Sequence, residues 1–393
     1  MLAAPLVVDV AVIGGGMVGT AVAAEIAGHS SVVLLEAEAS LGAHTTGRSA
    51  AVFVSNYGAG PVRVLTEASR AFLESPPVGF SEAPLLRQRG CLFIARDDRK
   101  GALLAQSGEP GVRAIAPSEA LELVPVLRRK AVAFALYEET ARDIDVDAVQ
   151  QGYLRLLRER GGSVILGCRV EALERSEAVW RIAAGGRRII AGKVVNAAGA
   201  WADELAGMAG ARPIGLSALR RTAALVPAPA GIDVSGWPFV VDVDETIYFK
   251  PDAGHVLLSP ADETPSEPCD AHPEEIDVAT AVYRYEEITT ETVRRVIHKW
   301  AGLRVFAPDR LPVIGPDPEL MDFHWCACLG GFGIQTAPAV AALAASLIHR
   351  EACPEPLRGL GFDAASVSPS RLVPGHQPVS GAEAPPGVMS AAS

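Results

Sequence analysis

The chain has 393 residues, 49% of them hydrophobic and 21% charged, which is enough apolar material for a large buried core. This composition excludes an intrinsically disordered protein and a small domain held together by disulfides. The 46 acidic residues outnumber the 35 basic ones and give a net charge of -11, so the field of the protein would repel nucleic acid phosphates. Nucleic acid is therefore not an expected partner. The length suggests two or three domains, or two interleaved ones.

The N-terminus and the apolar segments predict a soluble, cytoplasmic protein. The first residues lack the basic stretch of a signal peptide and run directly into glycines. The longest apolar helix expected, at 338–348, is shorter than the roughly 20 residues that cross a bilayer. We therefore expect no integral membrane segment, and peripheral attachment to a membrane stays open.

The six cysteines lack the C-x-x-C spacing of zinc sites, so we expect reduced thiols and no bound metal. Cys326 and Cys328 are two residues apart on an apolar run. In a strand, such residues point to the same face. We therefore expect both thiols to be buried on one face of a strand.

The N-terminal residues have the pattern of a strand, a helix and a second strand. Residues 7–13 form a nearly continuous apolar run, which is typical of a strand covered on both faces in a parallel sheet. A glycine-rich turn leads into an alanine-rich helix at 20–27, and residues 32–35 form the next strand, which ends at Glu36. These elements predict a βαβ unit.

The turn carries the spacing G-x-G-x-x-G at Gly14, Gly16 and Gly19, which becomes a specific signal between a strand and a helix. Gly14 would permit the tight turn, Gly16 the close approach of a pyrophosphate, and Gly19 the packing of helix on strand. Glu36 would accept hydrogen bonds from ribose hydroxyls and repel a 2′-phosphate, which favours FAD or NAD over NADP. A glycine turn without any ligand is the alternative.

A loop of small and hydroxyl-bearing residues follows the second strand, where an extended cofactor would pass. Residues 42–56 alternate glycine, serine and threonine with apolar pairs and lead into a helix at 61–74. Such a long track favours FAD over NAD, although the loop alone is also typical of a solvated connection. The residues expected to contact the cofactor here are Thr45, Thr46, Arg48, Ser49 and Ala51.

The central segments indicate a second domain inserted into the first. The turn after a strand that begins at residue 193 supplies small residues that let backbone and cofactor approach closely, and its expected contacts are Ala198, Gly199 and Trp201. Residues 209–300 are expected to combine alternating strands with proline-rich loops. Between the helix expected at 61–74 and residue 209, further strands are expected at 90–95, 131–137 and 163–166, and helices at 118–123 and 147–160.

The predicted domains are therefore discontinuous. The cofactor-binding domain comprises 1–85, 143–208 and 301–372, and the substrate-binding domain comprises 86–142 and 209–300. Serine, proline, glycine and alanine dominate the end of the chain, so 373–393 is expected to be a disordered tail.

A second glycine turn precedes the last apolar helix. The N-terminal amides of that helix would direct partial positive charge at N1 and the C2 oxygen of a flavin, where negative charge collects as the ring accepts a hydride. For this segment alone, a helix cap without a ligand is an equally good interpretation. The residues expected to contact the cofactor are Gly330, Gly331, Gly333, Ile334, Gln335 and Thr336.

Four motifs support one family assignment: Thr46-Gly47-Arg48-Ser49-Ala50-Ala51, Asp143-Ile144-Asp145, Lys299-Trp300-Ala301-Gly302-Leu303-Arg304 and Gly333-Ile334-Gln335-Thr336. Together they resemble the FAD-dependent D-amino acid oxidase (DAO) family, which includes glycine and sarcosine oxidases. The resemblance runs from about residue 8 to about residue 372 and is greatest to the D-arginine dehydrogenases. It implies an α/β fold, with an FAD-binding Rossmann-like domain of the GR2 type and a discontinuous α+β substrate domain built on a mixed sheet.

The resemblance also implies a site that binds the α-carboxylate of an amino acid. Two guanidinium groups can hold a carboxylate bidentately and stay charged at any working pH. Without the resemblance, Arg221 would be interpreted as a surface residue and Tyr248 as part of the core. The implied substrate residues are Arg221, Arg304, Tyr57 and Tyr248, with Gly331 and Gln335 near the amino group and the flavin.

Two positions depart from the arginine-specific relatives. Cys91 stands where they have a glutamate that receives the cationic side chain, and Val52 stands where they have a histidine. A pocket of Cys91, Val52 and Phe53 would give a guanidinium no counter-charge, so we expect a preference for neutral or apolar D-amino acids.

The implied reaction is oxidative deamination of a D-amino acid to a 2-oxo acid and ammonia, by hydride transfer from Cα to flavin N5. The sequence identifies neither the electron acceptor, which is oxygen, a quinone or another compound, nor covalent attachment of the FAD. The alternatives are an enzyme that oxidises N-methyl or cyclic amino acids or 2-hydroxy acids, and a flavin-binding protein without catalysis.

Overall fold

The structure is a computed structural model that describes residues 4–105 and 107–373. Apart from Val373, the predicted C-terminal tail lies outside the described residues. The strands, in chain order, are Leu6–Ile13 (β1), Val32–Leu35 (β2), Val52–Phe53 (β3), Leu86–Gln88 (β4), Cys91–Ala95 (β5), Val112–Ile115 (β6), Phe134–Glu138 (β7), Arg142–Ile144 (β8), Ser163–Ile165 (β9), Val170–Ser176 (β10), Val179–Ala184 (β11), Arg187–Asn196 (β12), Ser217–Pro227 (β13), Phe239–Asp242 (β14), Tyr248–Asp252 (β15), His255–Ser259 (β16), Thr264–Pro265 (β17), His298–Phe306 (β18), Val313–Pro316 (β19) and Phe323–Ala327 (β20).

The helices are short to medium in length, and most pack one face against a sheet. Asp145 caps one of them, because its side chain accepts a hydrogen bond from the amide of Ala148. In chain order they are Met17–Ile26 (α1), Gly60–Glu74 (α2), Lys100–Leu104 (α3), Pro117–Leu123 (α4), Val146–Glu159 (α5), Ala202–Ala209 (α6), Glu275–Ile288 (α7), Ala337–His349 (α8) and Glu355–Gly359 (α9).

The first sheet is built around the βαβ unit expected at the N-terminus. Its main strand order is β10-β11-β12-β1-β2-β9, with β20 beside the end of β12 and β19 beside β20. Strand β1 runs parallel to both of its neighbours, and its last four residues are buried on both faces. Helices α1, α5 and α8 cover one face of this sheet. The carboxyl ends of β1, β2 and β12 therefore meet at one edge.

The second sheet has nine strands, in the order β17-β13-β16-β15-β14-β5-β7-β6, with β18 on β13. It is mixed, because β14 pairs with β5 in parallel and its other pairs are antiparallel. Strand β18 pairs with β13 over its whole length. The second sheet therefore includes residues up to Phe306, beyond the domain boundary predicted at residue 301. The third sheet is small and has three strands in the order β3-β8-β4.

Two sequence-based expectations were wrong. Helix α7 lies in the segment expected to hold only strands and loops, because few of its residues are buried and they give a weak apolar period. Cys326 and Cys328 do not share a face: β20 ends at Ala327, and Cys328 adopts a left-handed conformation with φ of 59°. Their side chains consequently join different core clusters on opposite sides of the sheet.

Candidate active site

A large cavity lies along the carboxyl ends of β1, β2 and β12, where the turn after β1 leads into α1. Most of the residues predicted to bind the cofactor line this one cavity, although they come from five separate chain segments. They are Gly14, Gly16, Gly19, Glu36, Thr45, Thr46, Arg48, Ser49, Ala198, Gly199, Trp201, Gly330, Gly331, Gly333 and Ile334.

The glycines of the first turn have distinct steric surroundings. A methyl group at Gly14 would lie 2.3 Å from the carbonyl oxygen of Ala197, and one at Gly19 would lie 1.9 Å from the carbonyl oxygen of Gly14. Packing of the protein itself therefore requires both glycines. At Gly16, however, the nearest atom to such a methyl group is the hydroxyl oxygen of Thr46 at 3.5 Å. The space in front of Gly16 is a cradle that a side chain would begin to fill, and it fits a pyrophosphate.

The carboxylate of Glu36 is held at the end of β2 by two backbone amides. Oε2 accepts a hydrogen bond from the amide of Gly15 at 2.6 Å, and Oε1 accepts one from the amide of Glu38 at 2.8 Å. Each oxygen retains acceptor capacity toward the cavity. This arrangement fits the ribose hydroxyls of an adenine dinucleotide.

The hydroxyl groups of the loop after β2 bond to the protein. The Thr45 hydroxyl donates to the carbonyl of Leu303 at 2.7 Å, and the Thr46 oxygen accepts from the amide of Met17 at 3.0 Å, in the first turn of α1. Ser49 accepts from the amide two residues further on. The hydrogen bonds of these hydroxyls within the protein therefore shape the wall of the cavity. The sequence alone could not indicate these partners.

Arg48 joins three parts of the chain. Its guanidinium donates to the carbonyls of Ala43 at 3.2 Å, Ala271 at 2.8 Å and Ala301 at 3.0 Å, and it forms an ion pair with Asp270. These contacts use four of the five N–H donors of the guanidinium. The side chain expected to contact the cofactor thus connects the cofactor loop to the segments around α7 and β18.

We predict that Arg48→Met lowers the free energy of unfolding by about 2 to 4 kcal/mol, because it leaves partly buried carbonyls without donors. Thermal unfolding of the FAD-saturated protein measures the loss. Arg113→Met is the matched control, since the Arg113 side chain is 52% exposed and its single ion pair among the described residues is with Glu119. Equal stability of the two variants would contradict this role of Arg48.

The second glycine turn lies beside β18. A methyl group at Gly330 would lie 2.5 Å from the ring of Phe306, and one at Gly331 would lie 2.8 Å from the guanidinium carbon of Arg304. Both glycines therefore let β18 side chains pass close to this backbone. Thr336 lies outside the cavity wall, and its hydroxyl donates to the carbonyl four residues earlier in the chain.

Gln335 bridges two elements. Its Oε1 accepts from the amide of Val54 at 3.2 Å, and its Nε2 donates to the hydroxyl of Thr66 in α2 at 2.8 Å. The side chain is 3% exposed. Both ends of the amide are thus engaged with the protein, and Gln335 fixes the start of the loop after β3.

A smaller cavity of about 80 Å³ adjoins the first one. Apolar residues form most of its wall, and some of its polar residues also line the large cavity. Arg221, Tyr248, Arg304, Gly331 and Ile334 line both cavities. The predicted residues found only in the smaller one are Ala51, Val52, Tyr57, Cys91 and Gln335.

Arg304 has no carboxylate in ion-pair contact among the described residues. The acidic group that acts on it is Glu263, which forms its ion pairs with other arginines. Burial opposes the charge of Arg304, but the neighbouring phenols of Tyr57 and Tyr248 outweigh burial and raise its pKa. A permanent cation therefore faces the junction of the two cavities, with phenols as its neighbours.

Arg221 is more fully engaged. Its Nε donates to the carbonyl of Asp262 at 2.8 Å, and its Nη2 lies 3.3 Å from Glu263. The guanidinium carbon lies 6.0 Å from the ring centroid of Tyr248. Part of the charge of Arg221 is therefore already compensated, in contrast to that of Arg304.

Sequence reasoning missed an acidic residue at this site. Glu245 lies in the turn between β14 and β15 with φ of 50°, and its Oε2 is 3.4 Å from the phenol oxygen of Tyr57. Burial raises the pKa of Tyr57, so the phenol stays protonated and donates. Because acidic residues in a turn are usually solvated, the sequence gave no signal of this position.

Cys91 and Val52 both line the smaller cavity, most of whose lining residues are apolar. Burial raises the pKa of the Cys91 thiol well above its usual value, so this thiol is neutral. Two details of the expectation were wrong. Phe53 packs in the core with residues of α2 and does not line this cavity, and Glu245, an exposed residue, adds a carboxylate to the lining.

The chain belongs to the DAO family of FAD-dependent oxidoreductases, whose family model matches residues 9–347. The family and the cradle around Gly16 and Glu36 identify the cofactor as FAD and the protein as an oxidoreductase. The predicted fold class is confirmed: an FAD-binding Rossmann-like domain is combined with a second domain on a mixed sheet.

The hydrogen cyanide synthase subunit HcnC of Pseudomonas aeruginosa is 28% identical over 211 residues, a match that covers 51% of this chain and 48% of HcnC. The match thus spans about half the length of that relative. The glycine oxidase structure from Geobacillus kaustophilus has a TM-score of 0.80 at 21% identity and covers 92% of this chain and 98% of its own. L-α-glycerophosphate oxidase from Mycoplasma pneumoniae, solved with FAD bound, has a TM-score of 0.77 at 17% identity, with coverages of 87% and 95%. At these identities the solved structures establish the fold alone.

Over the described ranges, no helix combines the length and the apolar character that a membrane span requires. Within the same ranges, no three His, Cys, Asp or Glu side chains are grouped so as to hold a metal ion.

Proposed function

We propose that this chain catalyses the FAD-dependent oxidative deamination of D-amino acids with neutral or apolar side chains. The observation that carries the proposal is Arg304, a cation that faces the junction of two cavities and has no acidic partner among the described residues. A substrate α-carboxylate would supply the missing counter-charge. The D configuration rests on the resemblance of the site motifs to the D-amino acid oxidases.

Each polar residue at the junction has a role in binding and orientation. Arg304 would bind the carboxylate, and Arg221 would contribute the part of its guanidinium that faces the cavity. The phenols of Tyr57 and Tyr248 would donate hydrogen bonds to the same carboxylate, and Tyr57 would exchange its long bond to Glu245 for this one. These contacts fix the direction of the Cα–H bond before reaction, which is the main contribution that a binding site makes to such a step.

FAD held by the residues around the large cavity would supply an acceptor for the Cα hydride. This reaction requires no side-chain nucleophile, and the Cys91 thiol in the wall of the smaller cavity is neutral. The substrate must lose its ammonium proton, and the resulting imino acid would hydrolyse in water to a 2-oxo acid and ammonia. The two electrons then pass to oxygen, a quinone or another acceptor.

The apolar lining around Cys91 and Val52 supports a substrate side chain without charge. Cys91 and Val52 offer no hydrogen-bond partner to a guanidinium, and leaving such a group unpaired costs several kcal/mol. Glu245 is exposed and faces Tyr57, so it would contact only a long side chain that turns back toward solvent.

We predict that kcat/KM for D-leucine or D-methionine exceeds that for D-arginine by about tenfold or more. Steady-state assays with an artificial electron acceptor measure the ratio, and the L-enantiomers are the matched controls. A preference for D-arginine would contradict the proposed side-chain pocket. Turnover restricted to sarcosine, proline or a 2-hydroxy acid would replace the proposed substrate class by the alternative one.

A further inference from the structure

A buried carboxylate lies behind the loop that carries Tyr57. Glu138, the last residue of β7, is 0% exposed and belongs to no ion pair among the described residues. Its Oε1 accepts from the amide of Ser55 at 3.0 Å and from the Thr140 hydroxyl at 3.4 Å, and its Oε2 accepts from Nδ2 of Asn56 at 3.1 Å. Two of its three donors therefore come from the loop, more than eighty residues away in the chain.

A buried carboxylate without an ion pair is costly, and this one is retained by its hydrogen-bond donors. Burial raises the pKa of Glu138, against the opposing effect of the donors on Asn56, Ser55 and Thr140. An ionised carboxylate can only accept, and it offers acceptor sites on two oxygens. It is thus the side chain best suited to hold two donors of one loop at once.

Other contacts also hold this loop, and Glu138 is the side chain that joins Ser55 to Asn56. Nδ2 of Asn56 also donates to the carbonyl of Pro110 at 2.9 Å. The loop begins at Val54, whose amide is fixed by Gln335, and the Ser55 hydroxyl accepts from Nη2 of Arg70 at 2.6 Å. Tyr57 follows directly and reaches the substrate cavity. Its side chain contacts the ring of Phe332 at 5.0 Å between centroids, has a long hydrogen bond to Glu245, and is in hydrogen-bond contact with Arg304.

We propose that Glu138 is a positioning residue for substrate binding, which holds the segment 54–57 so that the Tyr57 phenol lies beside Arg304. Glu138 does not line the substrate cavity and acts through the loop. This inference rests on the proposed function, since it assigns to Tyr57 a contact with the substrate carboxylate.

The test uses Glu138→Gln in the FAD-loaded protein. A glutamine has one oxygen and one donating nitrogen, so either Ser55 or Asn56 faces a donor and loses its bond. We expect KM for a neutral D-amino acid to rise about tenfold with kcat within about threefold of its original value. Amide hydrogen exchange should rise in 54–57 and not in α2. Thr140→Val is the matched control, because it removes the donor to Glu138 that lies outside the loop, and we expect its KM to stay unchanged.

A double-mutant cycle separates positioning from general stabilisation. If Glu138 acts through Tyr57, Glu138→Gln should have little further effect on KM in a Tyr57→Phe background. Additive effects, or unchanged exchange in 54–57, would overturn the inference. Hydrogen exchange is measured without substrate, so it tests the anchor even if no D-amino acid is oxidised. Failure of the wild-type protein to turn over any substrate would instead count against the proposed function.

Discussion

Arg304→Met will lower kcat/KM for a neutral D-amino acid by about 30- to 5000-fold, equivalent to about 2 to 5 kcal/mol for losing one partner of a desolvated charge pair. The loss should fall mainly on KM, because the contact with the carboxylate exists before and during the reaction. Stability should change little. Arg304 has no acidic partner in the described part of the chain, so its removal leaves no buried carboxylate unpaired.

Arg221→Met is the comparison for this prediction. Arg221 is bonded to the carbonyl of Asp262 and lies 3.3 Å from Glu263, so its removal should cost stability and also weaken the carboxylate site. We therefore expect a smaller decrease in kcat/KM than for Arg304→Met, together with a lower melting temperature. A larger kinetic effect at Arg221 would mean that the carboxylate binds mainly there.

Gly16→Ala will weaken FAD binding by about 5- to 150-fold without unfolding the protein, since overpacking a tight site costs about 1 to 3 kcal/mol. The backbone at Gly16 has φ of -70° and ψ of 177°, which alanine adopts freely. The nearest protein atom to the new methyl group is 3.5 Å away, so the strain should arise only with the cofactor bound. Titration of the apoprotein with FAD measures the affinity, and circular dichroism checks the fold.

Gly14→Ala is the opposite case. Its φ of 111° and the 2.3 Å approach of the Ala197 carbonyl oxygen exclude a side chain whether or not the cofactor is bound. We expect this variant to yield little folded protein. For Gly16→Ala, an unchanged affinity for FAD would contradict the assignment of the pyrophosphate to the space in front of Gly16.

The elements that could be predicted from the sequence are those with a strong local pattern. The apolar run of β1, the glycine spacing of the turn and the acidic end of β2 each follow from one segment, and the structure has β2 at the predicted bounds. Arg221 and Arg304 could be singled out only through the family resemblance. Both lie on strands of the second sheet, and no residue spacing around either one marks it as a carboxylate-binding residue.

The remaining features depend on contacts between distant segments. Arg48 connects residues more than two hundred positions apart, and Glu138 reaches a loop more than eighty positions away. Glu245 lies in a turn, for which the sequence alone predicts a solvated side chain. Helix α7 buries only Val278, Ala281 and Tyr285, so its apolar period was too weak to detect. In each case tertiary structure decides the role, and no spacing along the chain encodes it.

Anaerobic mixing of the purified FAD-loaded protein with D-leucine tests the central claim most directly. We predict that the absorbance of oxidised flavin is lost with D-leucine and persists with L-leucine, because the site motifs resemble those of the D-amino acid oxidases. A spectrum unchanged by D-leucine, D-methionine, D-alanine and D-arginine would contradict the account.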